Sequence, residues 1–390
     1  MAEGDVAPIG PETEGVIRNL DAVIVGGGLG GLHAARLLAA AGLNYVLLEA
    51  RSRLGGRILS VPAETAASQG WFDLGPAWFW PDQQPRMARL IAELGLRAFS
   101  QHEVGLTRIE RSKNVLPQSI TGYRQQPAAF CLHGGMAALS EAAAAPLPPN
   151  RLLTGYRVMR VSQREPGVLV EARMGNGGMV AFEAAAVIMA VPPRLAVSAI
   201  EFLPAWPSEY AAALLETPTW MAGQAKLVAV YERPFWRANG LSGAGRSLVG
   251  PLGEVHDAST TDGLSALFGF VGIPATQRAA LGEDLISQAI AQLARMFGTE
   301  AASPVATLFK DWAGDDLTAT ALDLRPGPAH PEPYATQVAI WGPGLLTWAG
   351  SEAAAMHGGY LEGALEAAEA AVSSLLAGRC RMPFKGRLAF

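Results

Sequence analysis

Apolar positions along this chain fall into two patterns, short unbroken runs typical of strands and spaced positions typical of helices. An apolar run at 21–25 is followed by glycines and then by an Ala/Leu-rich stretch at 32–40, which predicts strand, turn and helix. Gly42 is a natural end for that helix. A second apolar run at 45–48 predicts the next strand and completes a βαβ unit.

The rest of the chain mixes both patterns. Helical periodicity predicts helices at 83–96 and 281–297, whereas 97–130 shows no regular period. Runs of strand type occur at 167–172, 181–183, 186–191, 227–230 and 306–312. A βαβ unit followed by further strands and helices predicts an α/β protein.

Length and charge narrow the class of protein. With 390 residues, half of them apolar, the chain can bury a large core in one compound domain or two intimate ones. Its 30 basic and 35 acidic residues give a net charge of −5 without a basic cluster. Nucleic-acid binding therefore has no electrostatic support.

The cysteines, the histidines and the N-terminal segment exclude further classes of protein. Cys131 and Cys380 are far apart and the six histidines are scattered, so we expect neither a disulfide framework nor a metal site. Residues 1–15 are acidic, unlike a secretion signal, and no apolar run reaches the roughly 18 residues that span a bilayer. We expect a soluble, cytoplasmic protein without a membrane anchor.

The glycines after the first strand have the spacing of a dinucleotide-binding turn. Gly26, Gly28 and Gly31 form G-x-G-x-x-G, which allows a tight turn, close approach of a pyrophosphate, and close packing of helix on strand. Glu49, at the end of the second strand, can accept hydrogen bonds from a ribose diol but would repel a 2′-phosphate. NADP is thereby disfavoured, and NAD or FAD remains.

The residues after Glu49 resemble a family signature. Arg51, Arg53, Gly55, Gly56 and Arg57 complete E-A-R-x-R-x-G-G-R, in which glycines allow close backbone approach and arginines neutralise a diphosphate. This pattern resembles the flavin-containing amine oxidase superfamily, which includes monoamine, polyamine and L-amino-acid oxidases. The resemblance implies a Rossmann-like FAD-binding domain with an interleaved α+β substrate domain, and FAD as the cofactor.

Other segments extend the resemblance. Residues 72–81 resemble the segment that passes over the flavin, 133–147 the Gly-Gly-Met helix, and 345–376 the C-terminal cofactor segment. Motif and resemblance together predict these cofactor-binding residues: Gly26, Gly28, Gly31, Glu49, Arg51, Gly56, Arg57, Gly75, Pro76, Ala77, Val158, Trp312, Gly350, Glu352, Gly359 and Leu361. No cysteine lies near Ala321, where monoamine oxidases place the flavin-linking one, so we expect noncovalent FAD.

Lys226 is the first candidate catalytic residue. The apolar run that follows it indicates a strand buried on both faces, and lysine is rarely buried without a role or a partner. In the resembled family a lysine at this place holds a water against flavin N5. The alternative is an exposed lysine at the start of a strand.

Tyr360 is the second candidate catalytic residue, and it is also expected to line the substrate site with Trp78 and Trp312. By resemblance it is one wall of an aromatic cage that orients the amine. The other wall falls near Leu322, which is not aromatic, so the cage is incomplete or is completed by Trp78, Trp312 or Trp341. The alternative for Trp312 is an ordinary buried core residue at the end of a strand. Trp78, Phe79 and Trp80 are consecutive, so they cannot all face one side of a strand.

The resemblance also predicts a domain division. The FAD-binding domain takes 16–80, 130–215 and 315–378, and the substrate domain takes 81–129 and 216–314. The irregular 97–130 stands where larger relatives carry a helical insertion over the substrate, so this domain is reduced. A homodimer is one assembly that the sequence leaves open.

The function implied is FAD-dependent oxidation of an amine to an imine by hydride transfer to flavin N5. Hydrolysis then gives a carbonyl product, and dioxygen (yielding hydrogen peroxide) or another acceptor reoxidises the flavin. Trp78 stands where L-amino-acid oxidases place a carboxylate-binding arginine, which favours an amine without an α-carboxylate unless Arg124 or Arg237 replaces it. The alternatives are an L-amino-acid oxidase, a flavin-dependent desaturase, or a non-catalytic flavin-binding partner subunit.

Overall fold

The structure is a computed structural model of the chain. The residues it describes are 15–66, 68–122, 124–261, 263–282, 284–324, 330–332, 334, 341–342 and 344–381. The expectation about a secretion signal falls almost entirely on residues outside these ranges.

Helices and strands alternate through the described residues. The strands are β1 (Val16–Val25), β2 (Tyr45–Glu49), β3 (Ser60–Glu64), β4 (Gln69–Asp73), β5 (Ala98–Ser100), β6 (Leu106–Glu110), β7 (Gln118–Thr121), β8 (Phe130–Leu132), β9 (Leu152–Thr154), β10 (Tyr156–Arg164), β11 (Gly167–Met174), β12 (Met179–Met189), β13 (Glu201–Leu203), β14 (Ala225–Tyr231), β15 (Leu241–Ser247), β16 (Leu252–Asp257), β17 (Ser265–Val271), β18 (Ala306–Asp311) and β19 (Leu346–Trp348). The α-helices are α1 (Leu29–Ala40), α2 (Pro85–Glu93), α3 (Ala137–Ala144), α4 (Pro193–Ala199), α5 (Ser208–Glu216), α6 (Phe235–Ala238), α7 (Ala275–Leu281), α8 (Asp284–Phe297) and α9 (Leu361–Arg381).

The chain divides into two compact units. The first takes 1–56, 140–220 and 329–390, and the second takes 57–139 and 221–328. These bounds differ from the predicted division, because 57–80, 130–139 and 315–328 fall in the second unit and 216–220 fall in the first. The reason is local packing, since β3 pairs with β4, and Phe72 and Leu74 share a buried cluster with Val228 and Phe268. Which unit binds the cofactor and which the substrate stays a prediction.

The first unit is built on an eight-stranded sheet. Its order is β13-β10-β11-β12-β1-β2-β9, with β19 also paired to β12. β1 runs parallel to β2 and to β12, and α1 connects β1 to β2, which confirms the predicted βαβ unit. The runs at 181–183 and 186–191, predicted as two strands, form one strand because β12 pairs with β1 along most of its length.

The second unit is built on a seven-stranded sheet of order β18-β14-β17-β16-β15-β6-β7. β14 lies between β17 and β18 and is buried at every position, as the apolar run predicted. One face of β14 packs Leu227 and Ala229 in a cluster with Leu285 and Ala289 of α8. Lys226 belongs to the opposite face, with Val228 and Val230.

Three predicted helices have other boundaries in the structure, and the one predicted at 83–96 spans Pro85–Glu93. The helix predicted at 281–297 begins at Asp284, because Gly282 adopts a φ of +49° and separates α7 from α8. The Gly-Gly-Met helix begins only at Ala137, because Gly134 and Gly135 have φ of +82° and +76°. Within the described part of 97–130 there are short strands and no helix. No helix of the described residues is long and apolar enough to cross a membrane.

Candidate active site

The turn between β1 and α1 has the tight backbone that the glycine spacing predicted. Gly26 has a φ of +108°, and a β-carbon there would lie 2.7 Å from the carbonyl oxygen of Ala190. A β-carbon on Gly31 would overlap the carbonyl oxygen of Gly26. Both positions accept only glycine, because the first needs a positive φ and the second allows α1 to pack against the end of β1.

Gly28 has different surroundings, since a β-carbon there would meet no protein atom within 4 Å. It is the N-cap of α1, so the space beside it lies at the positive end of a helix. The loop after Glu49 closes on this turn, with Gly55 N–H donating to the Gly27 carbonyl at 2.8 Å and Gly56 (φ +59°) close to Gly28. The open space and helix end fit a pyrophosphate.

Glu49 is buried at the end of β2. Its Oε2 accepts from Gly27 N–H and its Oε1 from Arg51 N–H, both at 2.7 Å. The Arg51 guanidinium lies 3.9 Å from Oε1. Each carboxylate oxygen has two lone pairs, so both can also accept from a ribose diol. These backbone bonds hold the carboxylate where the sequence predicted a ribose contact.

The other candidate cofactor residues of the first unit lie in two segments. Val158 is buried in β10, opposite Ala172 of β11 and directly before a bulge. Gly350 precedes a single 3₁₀ turn, Ser351–Ala353, in which the fully buried Glu352 accepts from Ser351 Oγ at 3.1 Å. Gly359 has a φ of +83°, and Leu361 begins α9.

Tyr360 stacks on a residue that the sequence did not suggest. Its ring lies 4.7 Å from the ring of His330 with a 19° angle between planes, and its hydroxyl is 3.2 Å from His330 Nε2. The other face of His330 stacks on Trp220 at 3.7 Å. Trp341, one candidate for the missing wall, packs instead in the core against Phe202 and Trp206.

The second unit contains a cavity of about 730 Å³. Lys226, Asp73, Ala77, Trp78 and Phe268 line part of it. Trp78 lies in the cavity while Phe79 is buried, which agrees with the expectation that the aromatic run faces more than one side. The candidate catalytic residue Lys226 and the candidate substrate-lining residue Trp78 therefore line the same cavity.

Lys226 is almost wholly buried, with 3% of its surface exposed. Its Nζ donates to the Gly75 carbonyl at 3.2 Å and lies 3.9 Å from the centre of the Phe268 ring. Burial lowers the pKa of this ammonium to about 8, and the nearby Asp73 carboxylate opposes that shift. The lysine can therefore change charge near neutral pH.

Asp73 is the acidic neighbour of this lysine. Its Oδ1 accepts from Ser60 Oγ at 2.5 Å and from Met136 N–H at 2.8 Å. Burial raises its pKa, while Lys226, Ser60 and Met136 lower it. Two titratable groups with opposite pKa shifts beside one cavity are typical of a functional site.

Trp78 is fixed by hydrogen bonding and packing. Its Nε1 donates to Gln101 Oε1 at 2.8 Å, and its ring lies 5.3 Å from Phe268. Gln101 Nε2 in turn donates to the Asp257 carbonyl at 2.7 Å. These bonds define the amide orientation of Gln101 and, through it, one cavity wall.

Arg237 lies on the same cavity, but its guanidinium is already engaged. Its Nε and Nη2 donate to the two carboxylate oxygens of Asp257 at 2.7 and 2.8 Å. Asp257 also accepts from Trp236 Nε1 and Ser259 N–H. This buried carboxylate is thus fully satisfied, and the arginine is held by it.

Three further candidates lie in the second unit. Gly75 cannot carry a β-carbon, which would overlap the Arg57 carbonyl oxygen. Pro76 follows it, and Arg57 is partly exposed. Trp312 is buried, donates from Nε1 to the Leu74 carbonyl at 2.9 Å, and has the Lys310 ammonium 4.7 Å from its ring centre. Ala321 begins a 3₁₀ turn, Ala321–Leu324.

Comparison with known proteins identifies the family. The model of flavin-containing amine oxidoreductases matches residues 107–376, more than half of the chain. The chain belongs to this family. A model of NAD(P)-binding Rossmann-like domains matches residues 24–94 of this amine oxidase.

Relatives extend the comparison to the whole chain. An L-amino acid dehydrogenase from Synechocystis is 26% identical over 462 aligned positions, covering 91% of this amine oxidase and 94% of the relative. Amine oxidase [flavin-containing] B from Sus scrofa is 24% identical, covering 93% and 87%. The first alignment is longer than the 390 residues of this chain, so the relative carries segments that this amine oxidase lacks.

Solved structures with the same fold include cyclohexylamine oxidase from Brevibacterium oxydans, with a TM-score of 0.77 at 20% identity, covering 93% of this chain and all of that one. Putrescine oxidase bound to putrescine gives a TM-score of 0.75 at 22% identity, covering 92% and 99%. The predicted α/β fold class is confirmed, and this protein is a flavin-dependent amine oxidoreductase with FAD as its cofactor.

Sequence reasoning on this amine oxidase missed three residues. Gln101 and His330 lie outside every motif, and only the fold brings them to Trp78 and Tyr360. Asp73 stood inside a quoted motif, and a carboxylate two residues before Gly75 was the available signal. In the described residues no group of three or more His, Cys, Asp or Glu side chains could hold a metal ion.

Proposed function

We propose that this protein oxidises an amine that lacks an α-carboxylate to the corresponding imine, which hydrolyses to a carbonyl product. Bound FAD supplies the hydride acceptor at N5 and is reoxidised by dioxygen or another acceptor. The observation that carries the proposal is the cavity lined by Lys226 and Trp78, in which a buried lysine with a lowered pKa stands beside aromatic walls. Such walls suit an apolar or aromatic substituent on the amine.

The protein residues have separate roles in this proposal. Lys226 holds a water or a proton at Nζ, Trp78 and Phe268 exclude bulk water, and Tyr360 orients the amine with its ring face. Gly28, Glu49 and the N-terminus of α1 hold the diphosphate and ribose of FAD. None of these roles needs a covalent link, and Ala321 offers no sulfur for one.

The preference for amines over amino acids rests on charge. A substrate carboxylate in this cavity needs a cationic partner, and an unpaired one would cost several kcal/mol, on the order of 2–7 for a polar group without a hydrogen bond. Trp78 supplies no positive charge, and Arg237 is already paired with Asp257. Lys226, with a pKa of about 8, loses its charge as the pH rises through that value, and below it the Asp73 carboxylate is its nearby counter-charge.

Amino-acid oxidation is the second candidate. It is favoured by the position of Arg237 on the cavity and by the 26% identity to an L-amino acid dehydrogenase. If Arg237 takes a substrate carboxylate, it must share its guanidinium between that group and Asp257.

Anaerobic bleaching of the flavin distinguishes these candidates. The purified holoenzyme is mixed with primary and secondary amines and, separately, with the twenty amino acids. We expect benzylamine or 2-phenylethylamine to bleach the flavin faster than every amino acid. An amino acid that is faster than all amines would establish the second candidate, and no bleaching at all would favour a non-catalytic flavin-binding subunit.

Two further measurements complete the test. Peroxide release in air identifies dioxygen as the acceptor, and its absence with a bleaching amine indicates another acceptor. Acid precipitation should leave the flavin in the supernatant, because Ala321 cannot form a thioether; flavin retained in the pellet would contradict noncovalent binding.

A further inference from the structure

One wall of the cavity is a chain of direct contacts that begins at Lys226. The Lys226 ammonium lies 3.9 Å from the centre of the Phe268 ring, and that ring packs against Trp78 with ring centres 5.3 Å apart. Trp78 Nε1 in turn donates to Gln101 Oε1 at 2.8 Å. All four residues line the cavity. The wall is therefore aromatic between Lys226 and Gln101.

Beyond Gln101 the same wall becomes polar. Gln101 Nε2 donates to the backbone carbonyls of His102 and Asp257, at 3.2 and 2.7 Å. The Asp257 carboxylate holds the Arg237 guanidinium through Nε and Nη2. His102 and Arg237 both line the cavity. Gln101 and Asp257 thus bring an imidazole and a guanidinium to the far end of this chain of contacts.

His102 is held as a neutral ring with one open acceptor. Its Nε2 lies 3.1 Å from the Val104 carbonyl oxygen, which can only accept, so Nε2 carries the proton. Burial and the Arg237 guanidinium lower the pKa of the imidazole, against the opposing effects of the Asp257 carboxylate and the Val104 carbonyl. At neutral pH Nδ1 therefore has a lone pair, and no donor among the described residues reaches it.

Arg237 has one nitrogen left for a ligand. The buried Asp257 carboxylate accepts from its Nε and Nη2, which neutralises the guanidinium and fixes its orientation. The side chain is 32% exposed, and within the described part of the chain no acceptor takes a hydrogen bond from Nη1. Nη1 therefore offers two N–H donors to the cavity, on a group whose charge is already balanced.

An open acceptor and an open donor on one wall select the chemistry of a ligand. A carboxylate cannot donate to His102 Nδ1, and it would compete with Asp257 for Arg237. An ammonium cannot accept from Arg237, which would repel it. A hydroxyl can both accept and donate. A phenol suits this wall best, because its ring can also pack against the aromatic side chains beside Gln101.

We propose that His102 and Arg237 determine substrate specificity by binding a hydroxyl group at the end of the substrate remote from its amine nitrogen. The hydroxyl oxygen accepts from Arg237 Nη1, and the hydroxyl proton is donated to His102 Nδ1. Neither protein group changes its charge, and no covalent bond forms or breaks. The substrate class is then a phenolic arylalkylamine. This assignment rests on the proposed amine oxidation, which brings the substrate into the cavity.

Other charged or titratable groups line this cavity in different surroundings. Both carboxylate oxygens of Glu103 accept from Gln125 N–H, at 3.3 and 3.1 Å. His133 Nδ1 lies 3.1 Å from Thr261 Oγ1, so His133 is a histidine on the same cavity whose Nδ1 is already engaged. The remaining groups of this kind on the cavity are Asp73, Arg97, Cys131 and Lys226. His133 is therefore the matched control for His102.

The test compares three amines that differ only at the far end of the ring. 2-Phenylethylamine has no hydroxyl, 4-(2-aminoethyl)phenol can accept and donate there, and its methyl ether can accept but cannot donate. Anaerobic flavin bleaching over a range of concentrations gives a half-saturating concentration and a limiting rate for each. The variants are His102→Phe, which removes the acceptor, and Arg237→Lys, which keeps a cation for Asp257 but removes Nη1.

We expect the wild type to be half-saturated by the phenol at about one tenth of the concentration of 2-phenylethylamine, with similar limiting rates, because each hydrogen bond contributes about two- to tenfold. His102→Phe should raise this concentration about three- to tenfold for the phenol and leave the other two amines unchanged. Arg237→Lys should weaken the binding of both oxygen-bearing amines. His133→Phe should retain the preference for the phenol.

The pH dependence is a second readout. A protonated His102 cannot accept from the phenol, and the pKa of His102 is lowered from its usual 6.5. The advantage of the phenol over 2-phenylethylamine should therefore be constant just above that pH and shrink below it. His102→Phe should abolish this change, which the loss of a purely structural side chain would not do.

Equal half-saturating concentrations of the phenol and 2-phenylethylamine in the wild type would overturn the proposal. An equal loss for all three amines in His102→Phe would also overturn it, because that is the result of a structural role. Flavin content and thermal unfolding identify a variant that fails to fold.

Failure of the proposed function has a different signature, because then no amine bleaches the wild-type flavin. Titration calorimetry with 4-ethylphenol, which has no amine, still tests the hydroxyl site in that case. Weaker binding by His102→Phe than by the wild type would support the site, and equal affinity or no binding by either protein would overturn it.

Discussion

The glycine turn of the first unit and the cavity of the second are built in different ways. The turn lies within residues 21–57, and backbone groups make most of its contacts. The cavity combines side chains from segments as far apart as Asp73, Gln101, Lys226 and Phe268. A site made by backbone at fixed spacing can be predicted from sequence, whereas a site made by distant side chains requires the fold.

The two regions also satisfy buried charge differently. Glu49 is held by two backbone N–H groups whose positions follow from the turn. The Lys226 ammonium contacts the Gly75 carbonyl and the face of the Phe268 ring, and burial lowers its pKa to about 8. The Glu49 carboxylate is thus held by backbone donors, whereas the Lys226 ammonium lies beside aromatic rings with a lowered pKa, which suits catalysis.

The largest effect expected from this comparison is at Gly31. Gly31→Ala places a β-carbon on the Gly26 carbonyl oxygen and should destabilise the apoprotein by about 1–3 kcal/mol, as overpacking does, with loss of bound FAD. Gly28→Ala meets no protein atom, so the apoprotein should keep its stability while FAD binding weakens. Urea unfolding of the apoproteins and flavin titration measure the two effects.

Equal loss of apoprotein stability in both glycine variants would show that the space beside Gly28 is structural. If Gly28→Ala binds FAD as tightly as the wild type, the space beside Gly28 is not part of the cofactor site.

The next effect is kinetic. Lys226→Met should retain FAD but slow one flavin half-reaction, most strongly reoxidation, by at least about tenfold, because the water or proton held at Nζ is lost. Stopped-flow traces of reduction and reoxidation measure this. Lys113→Met, on the exposed surface, is the control for loss of a lysine. Traces of Lys226→Met that match the wild type would make Lys226 a structural residue.

The pH dependence of stability is a smaller effect. The Lys226 pKa is lowered from 10.5 to about 8 in the folded state, so between these values the unfolded chain binds more protons than the folded one. The free energy of unfolding should therefore rise with pH in that window, by at most about 1.4 kcal/mol per unit. Urea unfolding of the wild type against Lys226→Met isolates this slope, which the variant should lack.

The raised pKa of Asp73 acts with the opposite sign at lower pH. Just above its usual value of 3.8 the folded state binds more protons, so this group lowers the free energy of unfolding as pH rises there. Asp73→Asn should remove that contribution and leave the alkaline window intact. A variant that abolished the alkaline slope instead would show that the two groups titrate as one pair.

The smallest effect concerns the wall of the cavity. Gln101→Leu removes the acceptor for the part-buried Trp78 Nε1 and should weaken substrate binding by about 0.5–1.5 kcal/mol, seen as a higher KM with little change in kcat. Trp78→Phe removes the donor, so the double variant should be less impaired than the sum of the singles. Additive losses would mean that Gln101 does not position Trp78.

The sequence predicted the elements that depend on local spacing. The βαβ unit, the glycine turn and the buried strand that holds Lys226 all follow from patterns of a few consecutive residues. The helix boundaries at Asp284 and Ala137 were missed because glycines with positive φ interrupt periodic segments, and composition does not reveal φ. His330 was missed because its partners Trp220 and Tyr360 are 110 and 30 residues away, as their numbers show.

The packing of α9 on α1 has a consequence for biosynthesis. Gly30 in α1 lies so close to the carbonyls of Ala349 and Ala364 that a β-carbon would overlap the first, and β19 pairs with β12. Both β19 and α9 follow the whole second unit along the chain. During translation the residues of the second unit are therefore all synthesised before β19 and α9 can complete the sheet and helix packing of the first.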